Sequence, residues 1–281
     1  MARDLLATVQ TALGRRYTVE AEIGRGGGAR VFRARDTSGT LVALKVLHPE
    51  LLVSVAADRF LREIEFARKL EHPHIARLLD TGEEGWLVYY TMAFAEGPSL
   101  RQQLEASGPL DLGQTQRLAT EILGALAYAH GKGVIHRDVK PENVVLTAAG
   151  AILLDFGIAR AVEVSGGDRL TRSGTTLGTA TYMSPEQIRG ARDMDQRTDL
   201  YATACLIYEA CVGKPPFHHA NPMFVMQQHL TQTAPDLRDA IPTAPASMAE
   251  AIARALAKVP AERWASADAM LAGLRGVAVA G

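Results

Sequence analysis

The sequence predicts an α+β fold of two lobes, a small lobe built on an antiparallel β-sheet with one key helix and a larger lobe that is mainly helical. Two observations carry this. From Arg16 to about Met92, short runs of β-branched and aromatic residues alternate with Gly, Ser and Thr turns. After Gly97 the pattern changes to long stretches with apolar residues at helical spacing. A third observation, that no internal repeat or low-complexity tract is visible, favours one two-lobed unit over two independent domains. The boundaries fall at 1–16 for a helical N-terminal extension, 17–95 for the small lobe and hinge, 96–275 for the large lobe and 276–281 for a tail.

Each element has its own signal. The start, MARDLLATVQTALGRRY, is a short amphipathic stretch with Asp4 near its beginning, unlike a secretory leader. YTVEAEIG, ARVFRARD, LVALKVL and WLVYYTM read as strands separated by turn residues. Between the third and fourth, Asp58 to Leu70 places Phe60, Ile64, Ala67 and Leu70 on one helix face, with Asp58 as a cap. Gly97 and Pro98 then break regular structure. LGQTQRLATEILGALAYAHGKG, DLYATACLIYEACVG, MFVMQQHL and SMAEAIARALAKV read as helices of the second lobe.

Bulk properties exclude some functions. A chain of 281 residues with 47% apolar content can bury a substantial core. Thirty basic residues against thirty-one acidic ones give a formal net charge of -1, so no global field argues for nucleic acid or an anionic membrane. A polyanion must be held locally. Cys205 and Cys211, six residues apart in an apolar run, point to different helix faces, which suits buried thiols in a reducing cytoplasm rather than a disulfide. No apolar run reaches the ~18 residues of a membrane span. The expected setting is therefore cytoplasmic, either as a free protein or as the cytoplasmic domain of a longer membrane-anchored one.

Three stretches carry chemistry. IGRGGGARVFRARD has glycines at 24 and 26, as a phosphate-cradling loop does, but Ala29 where a third glycine of G-x-G-x-x-G belongs. HRDVKPENVVL and LLDFGIAR supply Asp138, Asn143 and Asp155, compact oxygen donors, with Lys140 two residues beyond the first. Such a set suits magnesium, which prefers hard oxygen ligands and is usually held by one or two carboxylates together with substrate phosphates.

In order and spacing, these stretches resemble the motifs of eukaryotic-like protein kinases. Lys45 in VALKVL matches the family's third-strand lysine, and Glu63 in RFLREIE matches the helix glutamate that pairs with it. GTATYMSPEQ resembles the end of the activation segment, with Ser184 in place of Ala, and Arg263 in KVPAERW matches the arginine that pairs with Glu186. RTDLYATACLIYEACVGKPPF, with Asp199, resembles the central helix of the large lobe. The resemblance covers about Tyr17 to Leu274 and is strongest to bacterial serine/threonine kinases of signalling systems.

The resemblance implies an ATP-dependent serine/threonine protein kinase using Mg2+, with Mn2+ as a substitute. In it Lys45 binds the α and β phosphates and is fixed by Glu63, Asn143 and Asp155 hold the metal, Asp138 receives the acceptor's proton, and Lys140 neutralises the γ-phosphate. The nucleotide is expected between the lobes, under Ile23, Gly24, Gly26, Val31 and Ala43 and over Val145. Met92 stands at the gatekeeper position and the backbone of Ala93 to Ala95 reads the adenine edge. Lys140 and Thr179 favour serine or threonine acceptors in proteins. Arg137 is the family's phosphate-docking arginine, and Thr171, Ser173, Thr175 and Thr176 are the candidates for autophosphorylation, which a transient homodimer would perform in trans.

Departures from the pattern are Ala29, Ala93 in place of a hinge glutamate, and Ala204 in place of a glycine. Two other functions were weighed. A nucleotide-binding scaffold without turnover would usually lack Lys45, Asp138, Asn143 or Asp155, all of which are present. A small-molecule phosphotransferase would not need GTATYM, Ser-Pro-Glu and Arg263. His218, His219 and His229 are read as solvated histidines, because no cysteine or carboxylate completes a ligand set at a familiar spacing. His136 is read as bracing the catalytic loop.

Overall fold

The computed structural model describes residues 2–25, 29–47, 64, 68–85, 87–156, 180–191 and 193–277. Among them the chain forms two compact units, which divide between Ala95 and Glu96.

In the first unit, helix α1 (Ala2–Leu13) precedes five antiparallel strands, β1 (Tyr17–Arg25), β2 (Ala29–Asp36), β3 (Leu41–Leu47), β4 (Leu78–Glu84) and β5 (Leu87–Ala93), in sheet order β1-β2-β3-β5-β4. Leu5, Leu6, Val9, Ala12 and Leu13 recur at helical spacing, and this stripe covers one face of the sheet. Val9 and Leu13 are buried among Tyr17, Val19, Phe32, Leu44, Leu87 and Tyr89. Gln10 ties helix to strand: its side chain donates to the Tyr17 carbonyl at 3.4 Å and accepts from the Val19 amide at 2.7 Å.

Strand β4 is a finding, since LLDTGEE carries residues poorly suited to strands and was not among the expected ones. It forms because β5 offers an unpaired edge, from Leu78↔Met92 to Glu84↔Leu87, with one register shift after Leu78. Of the helix expected over Asp58 to Leu70, only Ile64 and residues 68–70 lie among those described; Ile64 and Leu70 are buried.

The second unit opens with a constrained crossing. Gly97 has φ +151°, and a Cβ there would lie 2.0 Å from the Leu146 carbonyl oxygen, so no side chain fits. The next residues add to the hairpin β6 (Val144–Thr147) and β7 (Gly150–Leu153): the Leu146 amide donates to Pro98 O at 2.9 Å, and Ser99 bridges Val145. Helix α2 (Leu100–Ser107) and helix α3 (Leu112–Gly131) each begin with a reciprocal capping box, Ser99 with Gln102 and Asp111 with Gln114.

Two further helices, α4 (Pro185–Ile188) and α5 (Arg197–Val212), follow. Every residue of α5 from Thr198 to Cys211 is buried, so this helix is the core of the unit rather than a face of it. It ends at Gly213 in the left-handed conformation, φ +83°. Helices α6 (Pro222–Thr231), α7 (Leu237–Ala240), α8 (Ala246–Ala255) and α9 (Ala267–Leu274) complete the unit, with α3, α7 and α8 packed on α5, and α9 packed on α3 and α8. Both cysteines are free and buried within α5, and burial pushes both thiols up. Among the described residues no helix is long and apolar enough to cross a membrane.

Candidate active site

In the first unit the register of three strands gathers the small-lobe candidates on one face. Val31 pairs with Lys45, Ala43 pairs with Met92, and Lys45 pairs with Tyr90. Directly opposed residues share a face, as do residues two apart along a strand, so Val31, Ala43, Lys45, Tyr90 and Met92 lie together. Phe32, Leu44 and Val46 point the other way, into the core that α1 covers. The Lys45 ammonium sits 5.7 Å from the centre of the Tyr90 ring. Gly24 opposes Val31 at the end of β1, and Ile23 is half exposed beside it. The Ala93 amide donates to the Arg77 carbonyl at 2.9 Å. Glu63 and Gly26 lie outside the described residues.

In the second unit the large-lobe candidates converge on one loop. His136, Arg137 and Asp138 lead into Lys140, then a 3-10 turn over Pro141–Asn143, then β6. The Asp138 carboxylate accepts the Lys140 ammonium at 2.8 Å and the Asn143 amide at 3.1 Å, and Asn143 also donates to the Asp138 carbonyl at 2.8 Å. Both amide hydrogens of Asn143 therefore go to Asp138, and its oxygen is the atom left to suit a hard cation. The Leu154 amide donates to the Asn143 carbonyl at 2.8 Å, and the Leu154 carbonyl lies 2.7 Å from His136 Nε2. Asp155 is thus delivered beside Asn143 by its neighbour's backbone. Phe156 packs edge-on against His136, with ring centres 4.6 Å apart.

Two non-glycine residues among those described have positive φ, Arg137 at +67° and Asp155 at +62°. Both belong to this site, and a left-handed backbone there costs on the order of 1–2 kcal/mol each. Asp199, fully buried at the start of α5, offsets the strain at Arg137. Its carboxylate accepts the His136 and Arg137 amides at 2.8 and 2.7 Å and pairs with His130 Nε2 at 2.8 Å. Burial alone would raise the Asp199 carboxyl, but His130, His136 and the Arg137 amide hold it below the usual range. The far side of Arg137 is held too, as Gln187 of α4 donates to its carbonyl at 2.8 Å.

The expected partnership of Glu186 with Arg263 is a two-pronged one, 2.7 and 2.8 Å long. Arg263 also donates to the carbonyls of Ala257, Arg197 and Lys258, so all of its N–H groups point at acceptors, and its guanidinium lies 4.8 Å from the Tyr201 ring centre. Burial pushes Glu186 up; the Arg263 bonds and charge outweigh it and leave the carboxyl lowered.

Some residues escaped the sequence. Arg101 of α2, Glu142, Tyr182 and Glu209 of α5 form a network beside the loop, with Arg101 donating to Glu142 and Glu209 at 2.9 and 2.7 Å. Glu209, the one acid in the middle of an apolar helix, was the available signal, since such a residue is almost never buried unpaired. The reading of His229 as solvated is corrected: it is fully buried, 2.8 Å from the Tyr201 hydroxyl and 3.0 Å from the Thr181 carbonyl. Those two partners allow a polar ring in an apolar site. No group of three potential metal ligands occurs among the described residues. Thr171, Ser173, Thr175, Thr176 and Thr179 lie outside them.

The protein kinase domain family matches residues 17–272. The chain is 41% identical over 273 residues to the serine/threonine-protein kinase pkn3 of Myxococcus xanthus, covering 93% of this chain and 50% of that protein. It is 40% identical over 267 residues to a probable serine/threonine-protein kinase of Streptomyces coelicolor (92% and 39% covered), and 36% identical over 280 residues to PknB of Mycobacterium tuberculosis (95% and 44% covered). The chain thus spans half or less of the length of these relatives. Among solved structures, Rad53 1-466 in complex with AMP-PNP superposes with a TM-score of 0.76 at 24% identity, over 92% of this chain and 65% of that one, which shows the shared fold. With a sheet of five antiparallel strands, a helical second unit and a match over nearly its whole length, this chain belongs to the protein kinase domain family.

Proposed function

We propose that this domain transfers the γ-phosphoryl group of ATP to serine and threonine hydroxyls of proteins. The observation that carries the reading is the loop in which Asp138 is held by Lys140 and Asn143 while Asp199 fixes the backbone before it. Phosphoryl transfer needs positioned charge more than covalent chemistry, and this loop supplies an acceptor carboxylate, a cation and an amide oxygen within six residues.

Asp138 orients the incoming hydroxyl and takes its proton as the phosphorus–oxygen bond forms. Lys140, bonded to the same carboxylate, neutralises charge on the transferring group. Lys45 binds the nucleotide's phosphates, with Glu63 as its partner. The oxygens of Asn143 and Asp155 fit Mg2+ as a hard donor set, and Mn2+ is accepted by the same ligands. That metal, when bound, screens the phosphate charges. Arg137 docks a phosphate placed on Thr171, Ser173, Thr175 or Thr176, with Thr179 aligning the acceptor, and a transient homodimer performs that step in trans. A cytoplasmic location, alone or as part of a longer anchored chain, fits the ATP requirement.

Incubation with Mg-ATP and a generic protein substrate, read by site-mapping mass spectrometry, tests this. Phosphoserine and phosphothreonine are expected with wild type, and Asp138→Asn should lower the rate by about 100-fold or more. Transfer only to a small alcohol, or none to any protein, sinks the proposal.

A further inference from the structure

The hairpin of β1 and β2 carries a break in its register. Glu22 opposes Phe32 and Gly24 opposes Val31, so Ile23 is an extra residue on β1, a one-residue bulge. In an unbroken strand, residues three apart face opposite ways. Across this bulge Glu22 and Arg25 share a face, because Glu22 opposes Phe32, Arg25 opposes Arg30, and Arg30 and Phe32 are two apart on β2. That is the face of the core that α1 covers, whereas Gly24 opposes Val31 on the face of Lys45.

One carboxylate grips the bulge. Glu22 Oε1 accepts Arg25 Nε at 3.1 Å, and its Oε2 accepts Arg30 Nη1 at 2.9 Å. The first bond spans the bulge along β1 and the second crosses to β2. If the bulge slid past Arg25, Gly24 would leave the Lys45 face and Arg25 would enter it, breaking the first bond. Arg30 is the more buried arginine, 17% exposed against 58%, and its Nε has no partner among the described residues, so Glu22 is the anion that holds it. The Arg25 hydrogen bond, against some desolvation and together with Arg30, lowers the Glu22 carboxyl below the usual range, so the grip is ionic at neutral pH. Positions 26–28 are all glycine, and no side chain there can take over the task.

Resting on the kinase reading above, we infer that Glu22 is a positioning residue for the nucleotide: its grip on Arg25 and Arg30 fixes the bulge that keeps Gly24 on the face of Lys45. There the bare backbone of Gly24 is free to approach phosphates. A side chain that only braced the sheet would affect stability and leave nucleotide affinity alone. Glu20 supplies the comparison. It accepts Arg33 Nε at 2.6 Å and Arg35 Nε at 2.7 Å, also at a register shift of the same two strands, but four residues before Gly24.

The test is the dissociation constant for AMP-PNP with magnesium, by isothermal titration calorimetry, for wild type, Glu22→Gln, Arg25→Gln and Glu20→Gln, with thermal melting of each. Glu22→Gln should weaken binding about fivefold and Arg25→Gln about threefold, while Glu20→Gln stays within about twofold of wild type. A change below about twofold in a folded Glu22→Gln, or a Glu20→Gln that binds as weakly as Glu22→Gln, overturns the inference and leaves the kinase reading standing. Should Glu22→Gln fail to fold, Arg25→Gln, the exposed end of the grip, decides by the same limit. Wild type that binds no nucleotide removes the kinase reading, and the inference with it.

Discussion

The Asp199 carboxylate accepts the backbone N–H of Arg137 at 2.7 Å, and Arg137 is held at φ +67°. A strained residue persists only where its surroundings over-determine it. Asp199→Asn keeps the shape of the acceptor and removes its charge. It is expected to destabilise the protein by on the order of 1.5–3 kcal/mol in urea titration, the value of hydrogen bonds to a charged group. Because its folded pKa lies below the usual carboxylate value, the wild-type contribution is present above about pH 4 and is lost only as pH falls through that lower value. A loss below about 0.5 kcal/mol would show that the loop holds without this charge.

Arg263→Ala leaves Glu186 buried without its cation. The expected loss is about 3–5 kcal/mol, and adding Glu186→Gln should recover part of it, since the stranded charge is removed. Strict additivity in this double-mutant cycle would contradict the pairing.

His229 is buried and lowered to about 3, first by burial and then by the nearby Lys258 ammonium. The unfolded chain therefore binds a proton that the folded one refuses, and stability falls as pH drops below the unfolded value of about 6.5. Between pH 6.5 and 5 the loss should be about 2 kcal/mol. His72, also lowered by burial, acts in the same direction, so the measurement is wild type against His229→Gln, in which this slope should be smaller. Lys258, lowered to about 8 by burial, works at the other end: its penalty in the charged form is relieved as pH rises from about 8 toward its unfolded value.

Ala29, which replaces the third glycine of the phosphate loop motif, is a buried strand residue paired with Leu47 and is not among the residues with positive φ. Glycine has nothing to relieve there. Ala29→Gly should cost about 0.5–1 kcal/mol of stability and change KM for ATP by a few-fold; a loss of activity beyond tenfold, ~1.4 kcal/mol, would contradict this.

The N-terminal helix should matter to the first unit in proportion to burial. Leu13→Ala, in the core under the sheet, is expected to cost about 2–5 kcal/mol, and Leu6→Ala, at the edge of the same stripe, less. Equal effects in thermal melts would mean that the helix does not dock as described.

Where pattern and burial coincide, the sequence is informative. The strand of Lys45 and the helix of Asp199 were legible because their apolar spacing is what the core uses. Strand β4 was not, because its polar run becomes a strand only through the free edge of β5. His229 misled because a polar residue reads as solvent-facing until its partners are known, and those partners, Tyr201 and Thr181, are 28 and 48 residues away; the partners of Glu209, Tyr182 and Arg101, are as remote, at 27 and 108. The roles assigned to Asp138, Asn143 and Asp155 came from motif order, while the hydrogen bonds among the loop's residues came from the structure.

Gly97 stands two residues past the point where the first unit ends, with a backbone carbonyl 2.0 Å from where its Cβ would be. Only one of the twenty side chains can occupy that crossing without moving the hairpin that Asn143 leads into. The start of the second unit is therefore also a splint on the strand that follows the Asp138 loop. Lengthening or softening this passage, as in swapping one unit for a relative's, should disturb the loop chemistry before it disturbs either core.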